Sequence, residues 1–186
     1  MNGIKKLLLI NTVKLWVYLC QKYGKLCLPN HSIEVRERTD VYFLERLIEN
    51  IRSGKGALYL NVKEVFSYLT ENNCSIYIAS NGLTEYLTAI VNYYKLDKWV
   101  TETFSIQKIE SLNKSDLVKT IVEKYGITNG AVVGDRLSDI IAAKDNGLIA
   151  IGCNFDFAQE DELLQADIVI DDLIELKTIV SQLKEC

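Results

Sequence analysis

Ala131-Val132-Val133-Gly134-Asp135-Arg136-Leu137-Ser138-Asp139-Ile140-Ile141-Ala142-Ala143-Lys144 decides the fold. An apolar run ends in Gly-Asp and opens directly into a segment of helical composition. A buried strand that ends this way sets a carboxylate at the C-terminal edge of a sheet, where open α/β folds bind ligands. Asp139 follows Asp135 by four residues, so the two carboxylates can face one Mg2+, an ion that favours carboxylate oxygens and waters.

Outward from this stretch, short apolar runs alternate with helical patterns. Leu7–Ile10, Ser75–Ala79, Leu148–Ile151 and Ile168–Ile170 read as further buried strands, and Thr103–Ile106 as a weaker one. Apolar residues spaced three and four apart lie between them: Val62, Val65, Phe66, Leu69; Leu83, Leu87, Ile90, Val91; Leu117, Val118, Ile121, Val122; Leu173, Leu176, Ile179, Val180, Leu183. Asn61 with Glu64 resembles a capping box, and Gly126 and Gly147 sit where helices end. The alternation predicts an α/β fold with a doubly wound, Rossmann-like parallel sheet. Residues 13–57 break it. Leu15, Leu19 and Tyr23, then Phe43, Leu44, Leu47, Ile48 and Ile51, predict two helices and no strand, with Pro29–Ser32 a loop between them and Ser53–Gly56 a hinge back to the sheet. The expected organisation is a core of residues 1–12 and 58–186, with a small helical cap, 13–57, inserted after the first strand.

Bulk properties narrow the function classes. A net charge of −4 with no basic block argues against nucleic acid as a partner. Five cysteines form no CxxC pair, and His31 is the single histidine, which disfavours structural zinc. Scattered, odd-numbered thiols suit a reducing compartment, so a cytoplasmic location is expected. Lys5-Lys6 before Leu7–Ile10 imitates a leader, but the apolar run breaks at Asn11-Thr12, too short for an h-region or a membrane span. No membrane association is expected.

The chain resembles the haloacid dehalogenase superfamily, in particular its phosphoglycolate-phosphatase type. Ile76–Ala79 followed by Ser80-Asn81-Gly82 resembles the second motif, a strand ending in Ser or Thr. Lys114, in Asn113-Lys114-Ser115-Asp116-Leu117, resembles the third-motif lysine. Gly134–Asp139 resembles the fourth. The tail from Ile151-Gly152 through Glu162-Leu163, Ala166-Asp167 and Asp171 matches the usual ending. The resemblance implies a Mg2+-dependent phosphomonoester hydrolase acting on a small phosphorylated molecule. Ser80 and Asn81 would then bind phosphate, Lys114 would neutralise charge on nucleophile and phosphoryl group, and Asp135 and Asp139 would hold the metal. A first Asp would attack the phosphorus and form an aspartyl-phosphate; a second, two residues later, would act as acid and base.

The first motif departs from that pattern. With Leu7–Ile10 as the catalytic strand, Asn11 occupies the nucleophile position and Val13 the acid/base position. An amide is no useful nucleophile, and a valine transfers no proton. In a second alignment Leu9–Thr12 follow the motif, and the chain does not encode the catalytic strand. The first is preferred, because a sheet without its central strand exposes unpaired backbone groups. Either alignment removes the nucleophile. The readings are therefore a phosphatase with a degenerate first motif, or a pseudophosphatase that binds phosphate or scaffolds without turnover.

Plainer readings stand beside these. Asp135 and Asp139 could be a helix N-cap and a first-turn acid. Ser80 could be a turn residue, and Asn11 a turn or N-cap residue. Lys108 and Lys119 compete with Lys114 for the lysine role. Cys74, Cys153 and Trp99 read as packing, and His31 as a loop histidine. The short cap leaves the site open, an arrangement that suits a homodimer or a larger substrate.

Overall fold

The computed structural model describes residues 6–10, 13–14, 30–155 and 158–185. Six strands form one parallel sheet: β1 (Lys6–Ile10), β4 (Cys74–Ser80), β5 (Val100–Ser105), β6 (Asn129–Gly134), β7 (Ile149–Cys153) and β8 (Ile168–Ile170). Their order is β5-β4-β1-β6-β7-β8. The chain winds outward from β1 to one edge, returns, and winds to the other, so the order reverses between β1 and β6. That reversal opens a crevice at the carboxyl ends of the two strands.

Strands β4, β6 and β7 alternate their side chains between two cores, as a two-residue period requires. Ile76 and Ile78, Ala131 and Val133, and Ile151 and Cys153 enter one core, which also holds Ile51, Phe66, Leu69 and Leu173. Tyr77 and Ala79, Val132 and Ala150 enter the other, with Leu117, Ile121 and Ile140. Helices α2 (Val62–Glu71), α3 (Thr84–Tyr94) and α7 (Leu176–Glu185) contribute to the first core; α4 (Lys114–Tyr125) and α5 (Leu137–Asp145) contribute to the second. A sheet buried on both faces explains the near-continuous apolar runs in the sequence. Gly126 closes α4 in the left-handed conformation, and Gly147, also left-handed, follows the end of α5.

Of the two helices expected in the insertion, the one through Phe43–Ile51 is present, and the expectation of no strand needs correction. Helix α1 (Ile33–Arg52) packs against α3 and buries Leu47 and Ile51. Two short strands, β2 (Val13–Lys14) and β3 (Ala57–Leu58), pair antiparallel and bracket the insertion. Pairing of two residues on each side carries too little periodicity to register in the sequence. The helix expected around Leu15, Leu19 and Tyr23 lies outside the described residues. His31 is exposed just before Ser32, which caps α1 by accepting from the Val35 N–H at 3.3 Å.

Two further expectations need correction, and one alternative falls. The edge strand begins at Val100, and Ile106 belongs to a 3₁₀ turn beyond it. Asn61 caps no helix with its side chain. It takes a left-handed backbone, and its Nδ2 donates to both carboxylate oxygens of Asp172, at 2.9 and 3.0 Å. Finally, the chain does supply the central strand: β1 lies between β4 and β6, so the alignment that left this strand unencoded is set aside.

Candidate active site

Four of the residues singled out from sequence converge on the carboxyl edge of the sheet. Ser80 ends β4, Asp135 follows β6, Asp139 lies in the first turn of α5, and Lys114 opens α4. Lys114 and Asp139 form a buried ion pair, Nζ to Oδ1 at 3.0 Å, with both side chains about 95% shielded from solvent. The same ammonium donates to the Ala79 carbonyl at 2.8 Å, which ties α4 to the last turn of β4. An ammonium has three donors, and these two contacts engage two of them.

Asp139 has a second engagement. Its Oδ2 accepts from the Arg136 N–H at 3.3 Å, closing the first turn of α5. The plainer reading is therefore partly correct for Asp139, which caps its helix while pairing with Lys114. The N-cap itself is Arg136, and Asp135 is buried one residue before it. Only glycine fits at 134. A Cβ there would lie 2.3 Å from Asp139 Oδ2 and 2.6 Å from its Cβ. Gly134 thus lets the aspartate fold back over the end of β6.

The Ser80 loop is braced from the neighbouring strand. Ser80 Oγ accepts from the Gly82 N–H at 3.0 Å, and the buried Ser105 Oγ donates to the Gly82 carbonyl at 2.6 Å. Gln107 Oε1 accepts from the Thr84 N–H at 2.8 Å, at the start of α3. Asn81 is exposed between Ser80 and Gly82. Sequence reasoning overlooked Ser105 and Gln107. Their partners lie 23 residues away, and no local spacing signals such a contact.

Lys119 is solvent-exposed and lies 3.9 Å from Glu123, so it stands away from Lys114's place between Ala79 and Asp139. Cys74 and Cys153 are buried, as packing residues should be, and the Cys74 thiol donates to the Asn72 carbonyl at 3.8 Å. Burial, joined by the charges of Asp135 and Asp139, pushes the Cys153 thiol far up, so it stays protonated. Trp99 packs edge-on against Phe66, with centroids 6.4 Å apart. β1 ends at Ile10, whose register partner Val133 stands two residues before Asp135. Asn11 lies outside the described residues, and Val13 begins β2.

Among the described residues no group of three His, Cys, Asp or Glu side chains is arranged to hold a metal. Mg2+ commonly takes one or two carboxylates and completes its shell with water and phosphate oxygens, so Asp135 and Asp139 would be the residues to hold it, Asp139 with its Oδ1 already on Lys114 and its Oδ2 on the Arg136 N–H.

This fold and motif order define a class. The chain belongs to the haloacid dehalogenase-like hydrolase family, whose sequence model matches residues 17–147. Within that family its likeness runs to the phosphoglycolate-phosphatase type. It is 24% identical over 165 residues to a phosphoglycolate phosphatase of Mannheimia succiniciproducens, covering 86% of this chain and 71% of the relative. Solved structures agree on the fold. A haloacid dehalogenase-like hydrolase from Streptococcus pneumoniae superposes with a TM-score of 0.75 at 12% identity, covering 97% of this chain and all of the other. A crystal structure described as a predicted phosphoglycolate phosphatase from Haemophilus somnus gives 0.72 at 20% identity, covering 86% and 73%.

Proposed function

We propose that this protein binds a small phosphomonoester in the crevice between β1 and β6, as a phosphoglycolate-phosphatase-like protein that has lost the aspartate nucleophile. The observation that carries this reading is the buried Lys114–Asp139 pair at the end of β4. Burying an ammonium is costly unless it is paired. Here it is paired, and its third donor would meet the anion. Ser80, whose Oγ already accepts from Gly82, has its own O–H to give to a phosphoryl oxygen.

Asp135 would hold Mg2+ directly and Asp139 through water. Bound there, the ion offsets repulsion between the carboxylates and a phosphate. The local charge supports this need. Asp135, Asp139 and Glu162 outnumber Lys114 and Arg136 at this edge of the sheet, so a phosphate dianion meets a net negative site without a cation. Asn11 and Val13, in the nucleophile and acid/base positions of the first motif, offer neither attack nor proton transfer. The buried Cys153 thiol suits a reducing, cytoplasmic setting. Among the described residues no helix is long and apolar enough to cross a membrane.

A second reading, a working Mg2+-dependent phosphomonoesterase, is favoured by the same intact pair, since a lysine so placed also serves charge neutralisation during phosphoryl transfer. One experiment separates the two. Hydrolysis of p-nitrophenyl phosphate with Mg2+, and calorimetric binding of inorganic phosphate, are measured on the protein and on Asp135→Ala. Phosphate binding lost in the variant, with no turnover in either, supports the proposal. Turnover lost in the variant establishes the hydrolase and overturns it. Absence of both binding and turnover overturns both.

A further inference from the structure

We infer that Glu162 is a positioning residue for the Asp135–Asp139 loop, gripping the start of α5 from the short helix α6 (Glu160–Leu163) between β7 and β8. This rests on the reading of that loop as a metal and phosphate site. The N-cap side chain of helix α5 accepts no hydrogen bond from the helix. Its N-cap is Arg136, whose side chain offers donors and no acceptor. The first N–H groups of a helix need acceptors. Glu162 supplies one from 25 residues away: its Oε2 accepts from the Leu137 N–H at 2.8 Å. The same carboxylate receives Arg136 Nε at 3.2 Å and a terminal guanidinium nitrogen at 3.5 Å.

These contacts fix the residue between the two aspartates. The Arg136 side chain is held by Glu162, and its backbone N–H is held by Asp139. Any turn of the Arg136 peptide would swing Asp135 on one side and Asp139 on the other. The Arg136 side chain is half exposed, so its ion pair alone is worth little. The bond to Leu137 is charge-assisted, and Glu162 is largely shielded, which makes it the stronger part of the grip. Burial pushes the Glu162 carboxyl up, but the Leu137 N–H and the Arg136 guanidinium outweigh it and hold the group below the usual range. The approach of α6 depends on Gly152 in β7. A Cβ there would come within 2.9 Å of Leu163 Cδ2 and 3.1 Å of the Ala166 Cβ.

The test compares the full chain with Glu162→Ala and Glu162→Gln by hydrogen exchange of individual amides and by Mn2+ binding, read from its electron paramagnetic resonance signal. Glutamine keeps an oxygen for the Leu137 N–H, so it should preserve the grip. We expect Glu162→Ala to speed exchange at Leu137 by about tenfold, the loss of one charge-assisted bond, while β7 and β8 keep their protection. Mn2+ affinity should fall by about tenfold, as for other groups that orient a metal's ligands. Glu162→Gln should restore both. If exchange at Leu137 does not change, or if it rises equally in β7 and β8, Glu162 is not a positioning residue. If the alanine variant frees Leu137 alone while even the unaltered protein takes up no Mn2+, the grip stands and the metal reading falls.

Discussion

Lys114 sits where a cation has no reason to be unless something uses it. It is 7% exposed and is held by one carboxylate and one carbonyl. Removing it strands Asp139 as a buried unpaired charge. Lys114→Met should therefore cost about 3–5 kcal/mol in urea unfolding, and Lys114→Met with Asp139→Asn should recover part of that loss through their coupling. The opposite experiment concerns the first motif. Asn11→Asp with Val13→Asp restores both carboxylates that the family's chemistry requires. With Mg2+, hydrolysis of p-nitrophenyl phosphate should rise by about 10²-fold or more over the unaltered protein; no gain would show that the loss at this edge extends beyond those two residues. Ser80, Lys114, Asp135 and Asp139 were readable because strand-end and helix-start positions have a sequence signature. Ser105, Gln107 and the grip of Glu162 were not, because each acts across two elements.

The joint between β6 and α5 shows how an element can be specified by a missing atom. Gly134→Ala would push a methyl group into the Asp139 carboxylate. The expected cost is about 1–3 kcal/mol for overpacking, with phosphate binding lost because Asp139 leaves Lys114. Gly126→Ala makes the contrast. No atom lies within 4 Å of its added Cβ, and only its left-handed φ of 59° is strained. That variant should lose about 1 kcal/mol in the same unfolding assay and bind phosphate unchanged. The strands and most helices could be read from the sequence because burial on both faces imposes period and composition together. The β2–β3 pair and the left-handed Asn61 could not. The two strands are too short to show a period, and Asn61 takes its conformation with a partner, Asp172, that lies 111 residues away.

Across the whole molecule, a few surface links make stability depend on pH. The Lys124 ammonium and the Tyr125 phenol hold Glu102 below its usual range; the Ile174 N–H and Asn61 do the same for Asp172. With Glu162, these carboxyls contribute stability that is complete above their ordinary values of 4.5 and 3.8 and is lost as pH falls through their lower folded values. At the alkaline end, the bond to Glu102 pushes Tyr125 up to about 12 from 10.0. Its contribution is present below 10.0 and fades as pH rises toward about 12. Thermal midpoints should form a plateau that falls off on both sides, and Tyr125→Phe should soften the alkaline fall.

The position of β1 has a consequence for the way the chain is made. This strand precedes both of its neighbours in the chain and must wait for them. Lys6 pairs with Cys74 on one side and with Asn129 on the other. At about 5–20 residues per second of synthesis, β1 spends several seconds with an open edge, a template for pairing with other chains. A nascent chain stopped before β6 should therefore aggregate or recruit a chaperone. One released just after β7 has its central strand closed on both sides.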